Sequence, residues 1–352
     1  MDFFRKFNNK NCRINSLIAL LMLNLLTVSL SAGCGRPSRA FSRTDFVMDT
    51  VLGEKIYGSK DLTEDVKVLL TDLEKEQLSW REDESTVAGV NQAGQSGEAA
   101  ETDETFAGWV NDCLDLARKS GGAFDPTIGS LTRLWDIEGD HPKVPAEEDI
   151  NRLLAESGYG KVHVEGIKIL MDSGVQLDLG AVGKGIGCDE AAAWLAGRKD
   201  VTGAVISIGG SIVTYGEKPD GSPWSVGIQD PRDEDGVIMG SLTLEGSHYI
   251  STSGDYEKYF EEDGVRYHHI LDPATGYPAD NSLCSVTVVC DSGLLSDGLS
   301  TACFVLGREK ALKLLQTYGA EGIFIEKDGQ VTVTKGLEDS FRILEKDKYT
   351  LN

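Results

Sequence analysis

Positive charge is scarce in this chain. Lys and Arg number 34 against 57 Asp and Glu, a net charge of −23 with His neutral. That balance argues against a nucleic-acid partner, which needs a basic footprint to release counterions from phosphates. Cysteine is sparse and badly spaced for structural use. None of the 7 Cys forms a C-x-x-C pair, so neither a zinc knuckle nor a disulfide framework is encoded. The chain has no G-x-G-x-x-G fingerprint and no Walker A loop, the usual signatures of dinucleotide and nucleotide folds. There are only 5 His, so any His inside a polar motif is a natural candidate for moving a proton near neutral pH.

What is present begins with an export signal. Arg5, Lys6, Lys10 and Arg13 precede an apolar run from Leu17 to Leu30, interrupted by Asn24. Small residues Ser31, Ala32 and Gly33 then lead into Cys34, a lipobox-like order in which the customary Leu (Leu30) stands one position early. The pattern predicts a signal peptide over 1–33 and a lipidated Cys34; an ordinary cleaved secretory peptide is the alternative. Removing 1–33 takes away four basic residues and one acidic, leaving −26. Lipid on Cys34 would hold a soluble domain at the outer side of the cell membrane, since no later segment is apolar enough to span. The remaining Cys113, Cys188, Cys284, Cys290 and Cys303 are an odd set, mostly in apolar surroundings, and read as buried free thiols.

Residues 34–44 read as linker, 45–340 as one catalytic unit and 341–352 as a tail. The spacing predicts a first strand over 45–57, then an amphipathic helix over 62–78, a polar loop over 92–105 and a helix over 105–120. A short helix over 146–157, a hairpin within 161–177 and an alanine-rich helix over 185–198 follow. Strands then come in consecutive hairpins to about 289, with helices at 296–306 and 309–318 and a last hairpin turning at Asp328-Gly329. Strands arriving in hairpins, with helices grouped rather than alternating, predict an α+β fold with largely antiparallel sheet.

Three polar clusters carry the chemistry. Leu177-Asp-Leu-Gly-Ala-Val-Gly-Lys-Gly185 reads as a glycine-rich turn into a helix, where backbone could approach an anion and Lys184 could reach it. An ordinary strand–turn–helix connection has the same pattern. Asp297 and Thr301 in Ser296-Asp-Gly-Leu-Ser-Thr-Ala302 stand four apart and so share a helix face, offering a hard oxygen pair to Mg²⁺ or Ca²⁺. The alternative there is a helix capped by Ser296, with Asp297 complementing its dipole. In His268-His-Ile-Leu-Asp-Pro-Ala-Thr-Gly276 two histidines point to opposite faces of a strand that ends in a tight turn.

Together, and in this order, the clusters resemble the ApbE family of FAD:protein FMN transferases, which use FAD and Mg²⁺ to attach FMN to a protein threonine or serine. The resemblance extends over most of 45–335 and implies an ApbE-like, two-lobed catalytic unit. By position it implies Asp178 on the adenosine side of FAD, Lys184 on FAD, and a metal held by the Ala181 carbonyl, Asp297 and Thr301. The metal would be Mg²⁺, with Ca²⁺ or Mn²⁺ able to replace it. The family's His-Ile-x-Asp-Pro-x-Thr-Gly pattern selects His269 to activate the acceptor hydroxyl or steady the transferred phosphate. His268 is then structural or exposed. Asp272 would orient His269 or merely shape the turn, and Leu271 would line the flavin site. Met48, in a Met-Asp-Thr strand where the family has Met-Gly-Thr, should touch FAD. Trp80 is either the flavin-stacking aromatic or a core residue. Gly122-Ala-Phe-Asp-Pro-Thr127 places Ala123, Phe124 and Asp125 on FAD, while Gly209, Gly210 and Ser253 line the pocket.

The reaction implied is transfer of FMN from FAD to a Thr or Ser hydroxyl with release of AMP. The acceptors implied are exported flavin-bearing redox proteins. A Mg²⁺-dependent FAD pyrophosphatase and a flavin-binding lipoprotein without chemistry are the alternatives. An acidic chain binding an anion needs a local remedy, which a divalent cation and focused backbone dipoles would supply.

Overall fold

The computed structural model describes residues 38–352 apart from residue 234. The signal segment and Cys34 lie outside the described residues. The chain opens with a hairpin, β1 (Arg39–Val47) and β2 (Thr50–Gly58), paired in register from Arg39↔Gly58 to Val47↔Thr50. This corrects two expectations. Residues 39–44, expected as linker, are paired strand, and the single strand expected over 45–57 is two. The turn hid because it contains no glycine: Met48 (φ 53°) and Asp49 (φ 54°) both adopt the left-handed region that two-residue hairpins require.

Next come α1 (Thr63–Leu73) and a π-helical turn, Glu74–Leu78. Residues 86–96 form α2 (Thr86–Ser96) instead of entering the expected loop, because Ser85 accepts the Ala88 N–H and caps it. A short β3 (Ala100–Glu101), α3 (Glu104–Lys119), α4 (Gly129–Trp135) and α5 (Glu147–Glu156) lead to β4 (Val162–Glu165) and β5 (Lys168–Met171). Then follow α6 (Gly180–Ala196), β6 (Val201–Ile208), β7 (Ser211–Gly216), β8 (Trp224–Gln229), β9 (Ile238–Leu244) and β10 (His248–Gly254). The last stretch holds β11 (Tyr259–Glu262), β12 (Val265–His268), β13 (Leu283–Cys290), α7 (Gly293–Leu306), α8 (Arg308–Tyr318), β14 (Glu321–Glu326), β15 (Gln330–Val333), β16 (Phe341–Ile343) and β17 (Thr350–Leu351).

A nine-stranded sheet in the order β1-β2-β6-β7-β10-β13-β14-β15-β17 forms the backbone of the fold. Its pairs are antiparallel except β15 with β17. One face packs against α1, α6, α7 and α8 through Ile206, Val286, Val288 and Phe324. The other face, through Ile250, Val289, Ile323 and Ile325, meets the small sheet β16-β9-β8. Buried on both faces, β13 is apolar or small along nearly its whole length. The α+β architecture with largely antiparallel sheet is therefore as the sequence suggests. The expected tail is part of the fold: Phe341 and Ile343 pair with β9 and are buried, as is Tyr349.

The glycine cluster before the alanine-rich helix is not a turn. The helix starts at Gly180, five residues earlier than expected, and Gly183, Gly185 and Gly187 lie inside it. At Gly185 the reason is packing. A Cβ on Gly185 would collide with the Gly293 carbonyl oxygen and stand 2.8 Å from the Asp297 Cβ. Only bare backbone lets α6 and α7 approach this closely. By contrast, nothing lies within 4 Å of a Cβ built on Gly89 in α2. Gly185→Ala should therefore cost about 2–3 kcal/mol by overpacking, read as a lower denaturant midpoint. Gly89→Ala should instead stabilise by about 0.5–1 kcal/mol and raise the midpoint. Equal effects at the two positions would rule out the packing role.

Candidate active site

The site is built at the α6–α7 contact. Asp297, buried in the second turn of α7, reaches across and accepts the backbone N–H of Gly185 at 2.9 Å. In a regular helix that N–H serves the carbonyl four residues back, which is Ala181. Asp297 competes for this donor and leaves the Ala181 carbonyl with acceptor capacity to spare. The reciprocal tie runs from α6 to α7: Asp189 accepts the N–H groups of Gly293 (2.7 Å) and Leu294 (2.8 Å) at the α7 N-terminus. Ser292 caps that helix by accepting the Leu295 N–H. The cap is thus Ser292, not Ser296, and Asp297 sits too deep in α7 to be a dipole partner.

The second Asp297 oxygen lies 3.7 Å from Lys184 Nζ. Burial works against the Lys184 charge, but Asp297, Glu257 and Glu138 outweigh it and hold the ammonium above its usual pKa. Thr301, one turn beyond Asp297, has its hydroxyl 3.3 Å from Ser253 on β10, and Ser253 also bonds Ser300 at 2.7 Å. Behind them Ser251 joins Ser296 (2.8 Å) and Ser211 (3.1 Å). Hydroxyls from β7, β10 and α7 thereby fix the face that carries Asp297 and Thr301.

Other expected residues surround this centre. Asn91, buried in α2, accepts the Leu177 N–H (2.7 Å) and donates to the Leu177 carbonyl (2.9 Å), clamping the approach to α6. Asp178 accepts the Gly180 N–H at 2.8 Å and donates its own N–H to the Pro126 carbonyl, joining the α6 N-terminus to the Phe124–Thr127 segment. Ala123 and Phe124 are buried, and Asp125 holds Thr127 and the Tyr159 N–H with its two oxygens. Met48 belongs to the β1–β2 turn rather than to a strand. Its N–H is held by Glu74 at 2.9 Å, and its side chain lies against Gly183 and Gly187 of α6. Gly209 (φ 54°) and Gly210 form the β6–β7 turn, where a Cβ on Gly210 would stand 3.0 Å from Glu257.

Trp80 is half-buried and packs beside the core with two guanidinium groups over its ring, Arg81 at 4.3 Å and Arg133 at 4.4 Å. Leu271 packs into a satellite cluster with Leu131, Trp135, Ile150 and Leu153. Asp272 spends its carboxylate on the Ala274 N–H at 2.9 Å, while its backbone ties Thr275, Gly276 and Tyr277. Of the two roles open to it, shaping the turn is the one its geometry serves. It does not orient His269.

The two histidines have divided fates. His268 is buried, edge-on to Phe304, with Nε2 bonded to the Ala279 carbonyl at 2.9 Å. His269 follows β12 and is held by Lys258: its N–H donates to the Lys258 carbonyl at 3.0 Å and Nδ1 lies 3.3 Å from the same oxygen. A carbonyl only accepts, so Nδ1 carries the proton and Nε2 keeps a free lone pair. Burial pushes the imidazole below its usual pKa, with Glu138 opposing and Lys258 and Lys184 assisting. The ring is neutral at pH 7.

Several members of this constellation are absent from the sequence-derived set. Glu257 is pushed up to about 6 by burial, with Asp297 adding to the rise and Lys184 counteracting it. Lys258 pairs with Glu138, and Arg133 donates to Gln176 at 2.6 Å. Glu257 and Lys258 stand four and five residues after Ser253, so reading on from that position would have found them. Glu138, in Trp135-Asp-Ile-Glu138, has no local signal. The five remaining cysteines are free, as expected, with Cys290 partly exposed and the rest buried. Among the described residues no three His, Cys, Asp or Glu side chains gather as a metal cage, and no helix is long and apolar enough to cross a membrane.

The chain is similar in sequence and in fold to known proteins. The sequence model described as "ApbE family" matches residues 48–324. The FAD:protein FMN transferase of Treponema pallidum (strain Nichols) is 33% identical over 351 residues, spanning 93% of this chain and 96% of that protein. Its namesake from Vibrio cholerae is 33% identical over 311 residues, 86% and 90% of the two chains. Among solved structures, the ApbE protein of Thermotoga maritima superposes with a TM-score of 0.78 at 30% identity, covering 86% of this chain and all (100%) of its own. The flavin transferase ApbE of Vibrio cholerae gives 0.77 at 28% identity with 86% and 100% coverage.

The Asn91 clamp makes a prediction. Asn91→Ala would leave the Leu177 N–H and carbonyl buried without partners, costing about 2–4 kcal/mol. Because the same clamp sets the α6 N-terminus, FAD affinity measured by fluorescence titration should fall as well. Unchanged stability and affinity would show that the clamp is dispensable.

Proposed function

The chain belongs to the ApbE family, and from that premise we propose that this enzyme transfers FMN from FAD to a threonine or serine hydroxyl of an acceptor protein, releasing AMP. The observation that carries the reading is the convergence of Lys184, Asp297, Thr301 and the Ala181 carbonyl at one helix crossing. Among the described residues no hydrogen bond occupies His269 Nε2, and the ring feels the charges of Glu138 and Lys184.

The donor set at the crossing is a carboxylate, a hydroxyl and a backbone carbonyl. All are hard oxygens, and they fit Mg²⁺ with room for ligands it brings along. Bound there, such an ion would neutralise diphosphate charge and polarise the phosphoryl oxygens. The residues themselves do the rest. Lys184, kept protonated, offers a cation to the diphosphate, and the Ser253–Ser300–Thr301 bonds hold the ligand oxygens in place. The acceptor hydroxyl oxygen attacks the FMN phosphorus, its proton passes to His269 Nε2, and the bond from that phosphorus to the AMP oxygen breaks. Chemistry of this type rests on positioning and charge stabilisation more than on covalent help.

The same ligands would serve hydrolysis if water replaced the acceptor hydroxyl, so the deciding experiment includes both. The domain from residue 36 onward, with FAD, Mg²⁺ and a flavin-acceptor domain, should yield an acceptor heavier by one FMN phosphoester. Asp297→Ala should slow that transfer by more than about 100-fold. Release of FMN and AMP with no mass gain would replace transferase by pyrophosphatase, and unchanged FAD would leave a flavin-binding protein. The lipidated Cys34 and a place on the outer side of the cell membrane complete the proposal. Labelling of the full chain with a fatty-acid analogue, lost in Cys34→Ala, tests them.

His269 also fixes a pH dependence. A base must be neutral to accept a proton, and burial lowers its pKa. The acid limb of kcat/KM should therefore lie below the ordinary histidine value of about 6.5 and disappear in His269→Asn, which should lose about 10²–10⁴-fold in rate. An acid limb at or above the ordinary value, or one that survives in the variant, would assign the base elsewhere.

A further inference from the structure

The transfer reading leaves Glu138 and Lys258 without a task. Glu138 lies just past α4, where the chain leaves the helix through Asp136 in the left-handed region (φ 48°). Lys258 lies between β10 and β11. The two side chains, 30% and 37% exposed, form an ion pair across 120 residues of sequence. A half-exposed pair adds little to stability, on the order of 0–1 kcal/mol, so stability alone does not account for it. Its placement does. Lys258 is gripped at both ends: Glu138 holds its ammonium, and His269 takes its carbonyl with both the backbone N–H (3.0 Å) and Nδ1 (3.3 Å).

We propose that the Glu138–Lys258 pair is a positioning element for the proton-accepting histidine, fixing the Lys258 carbonyl that selects the Nδ1–H tautomer and setting opposed charges beside the ring. This rests on the transferase reading with His269 as base. The charges around the ring are Glu138, Lys258 and Lys184, with His268 as neighbour, and Glu138 itself faces Lys258, His269 and Arg81. Glu138 favours the imidazolium and Lys258 and Lys184 disfavour it. Burial opposes the Glu138 carboxylate, but Lys258, then His269 and Arg81, keep its pKa below the usual range. The Glu138 carboxylate is therefore ionised across neutral pH, and the two members of the pair pull on His269 in opposite senses.

Opposed signs give a test that loss of structure cannot imitate. Glu138→Gln should move the acid limb of kcat/KM to lower pH, because a charge favouring imidazolium is gone. Lys258→Met should move it to higher pH, and the double variant should return toward the parent. In Glu138→Gln kcat should fall by about 10–100-fold, the scale of a mispositioned group, with Glu138→Asp restoring part of it and KM for FAD unchanged. If both single variants keep the parent limb and rate, the pair does not position the ring. If instead KM for FAD rises while the limb stays put, the pair is a substrate contact and the proposal fails. Thermal melts establish that each variant folds, and Lys258→Met carries the same readout should Glu138→Gln unfold. His269→Asn separates the two readings. Full activity there removes the base itself, whereas an inactive His269→Asn with unmoved limbs in the pair variants removes only the positioning role.

Discussion

The crossing of α6 and α7 is the constraint on which the rest of the site depends. Two helices pack with interaxial distances of about 8–10 Å when ordinary side chains intervene. Here Gly185 meets Gly293, and no Cβ fits between them. That closeness alone lets a short Asp297 side chain accept a main-chain N–H from the opposite helix, an interaction charged acceptors make at roughly twice the strength of neutral ones. From it follow the acceptor capacity of Ala181, the position of Lys184 on the same α6 turn, and the alignment of Thr301 one α7 turn further on. Two hydroxyl links, Ser211–Ser251–Ser296 and Ser253–Ser300, then fix α7 to the sheet. A binding site made this way sits on rigid elements and needs little loop ordering.

The same geometry answers how an acidic chain could hold an anionic substrate. At 4 Å and an effective dielectric constant of 20, two unit charges interact by about 4 kcal/mol. Exposed charges farther than about 8–10 Å are largely screened at physiological salt. The net −23 is therefore mostly a statement about the periphery. Around the site, Lys184, Lys258, Arg81 and Arg133 gather with Glu138, Glu257 and Asp297, and no large negative surplus remains there. Global acidity is then compatible with local attraction, and it serves solubility rather than recognition.

Strand and helix identities were largely legible in the sequence, since alternation and helical spacing are properties of single segments. What failed were features set by tertiary contact. Gly183, Gly185 and Gly187 looked like a phosphate-type turn because glycine's usual local meaning is conformational freedom; at Gly185 its meaning is the absence of a side chain facing another helix. Met48 and Asp49 formed a turn with no glycine to mark it. Ser296 looked like a cap because the true cap, Ser292, lies one helical turn earlier, ahead of the apolar Gly293-Leu-Leu295. Within the candidate site, Lys184, Asp297 and Thr301 stand inside recognisable motifs, and Glu138 does not. Its importance comes from a partner 120 residues away, and no pattern in Trp135-Asp-Ile-Glu138 encodes that partner.

The titration behaviour of the site has an internal logic beyond the individual residues. Acid and base roles are assigned where neighbouring groups are driven apart in pKa. Lys184 and His269 feel one another and both are desolvated, yet their outcomes diverge. Lys184 is surrounded by Asp297, Glu257 and Glu138, which more than offset burial, so it stays a cation. His269 has Glu138 on one side but Lys258 and Lys184 on the other, so burial prevails and it stays neutral. In the proposed reaction the diphosphate needs a permanent cation, and the attacking hydroxyl needs a base with a free lone pair to take its proton. Exchanging these environments would give a neutral amine beside the phosphates and a protonated imidazole beside the hydroxyl, an arrangement able to do neither. The acidic residues near the centre are thus what divides two basic side chains into one that holds charge and one that can accept it.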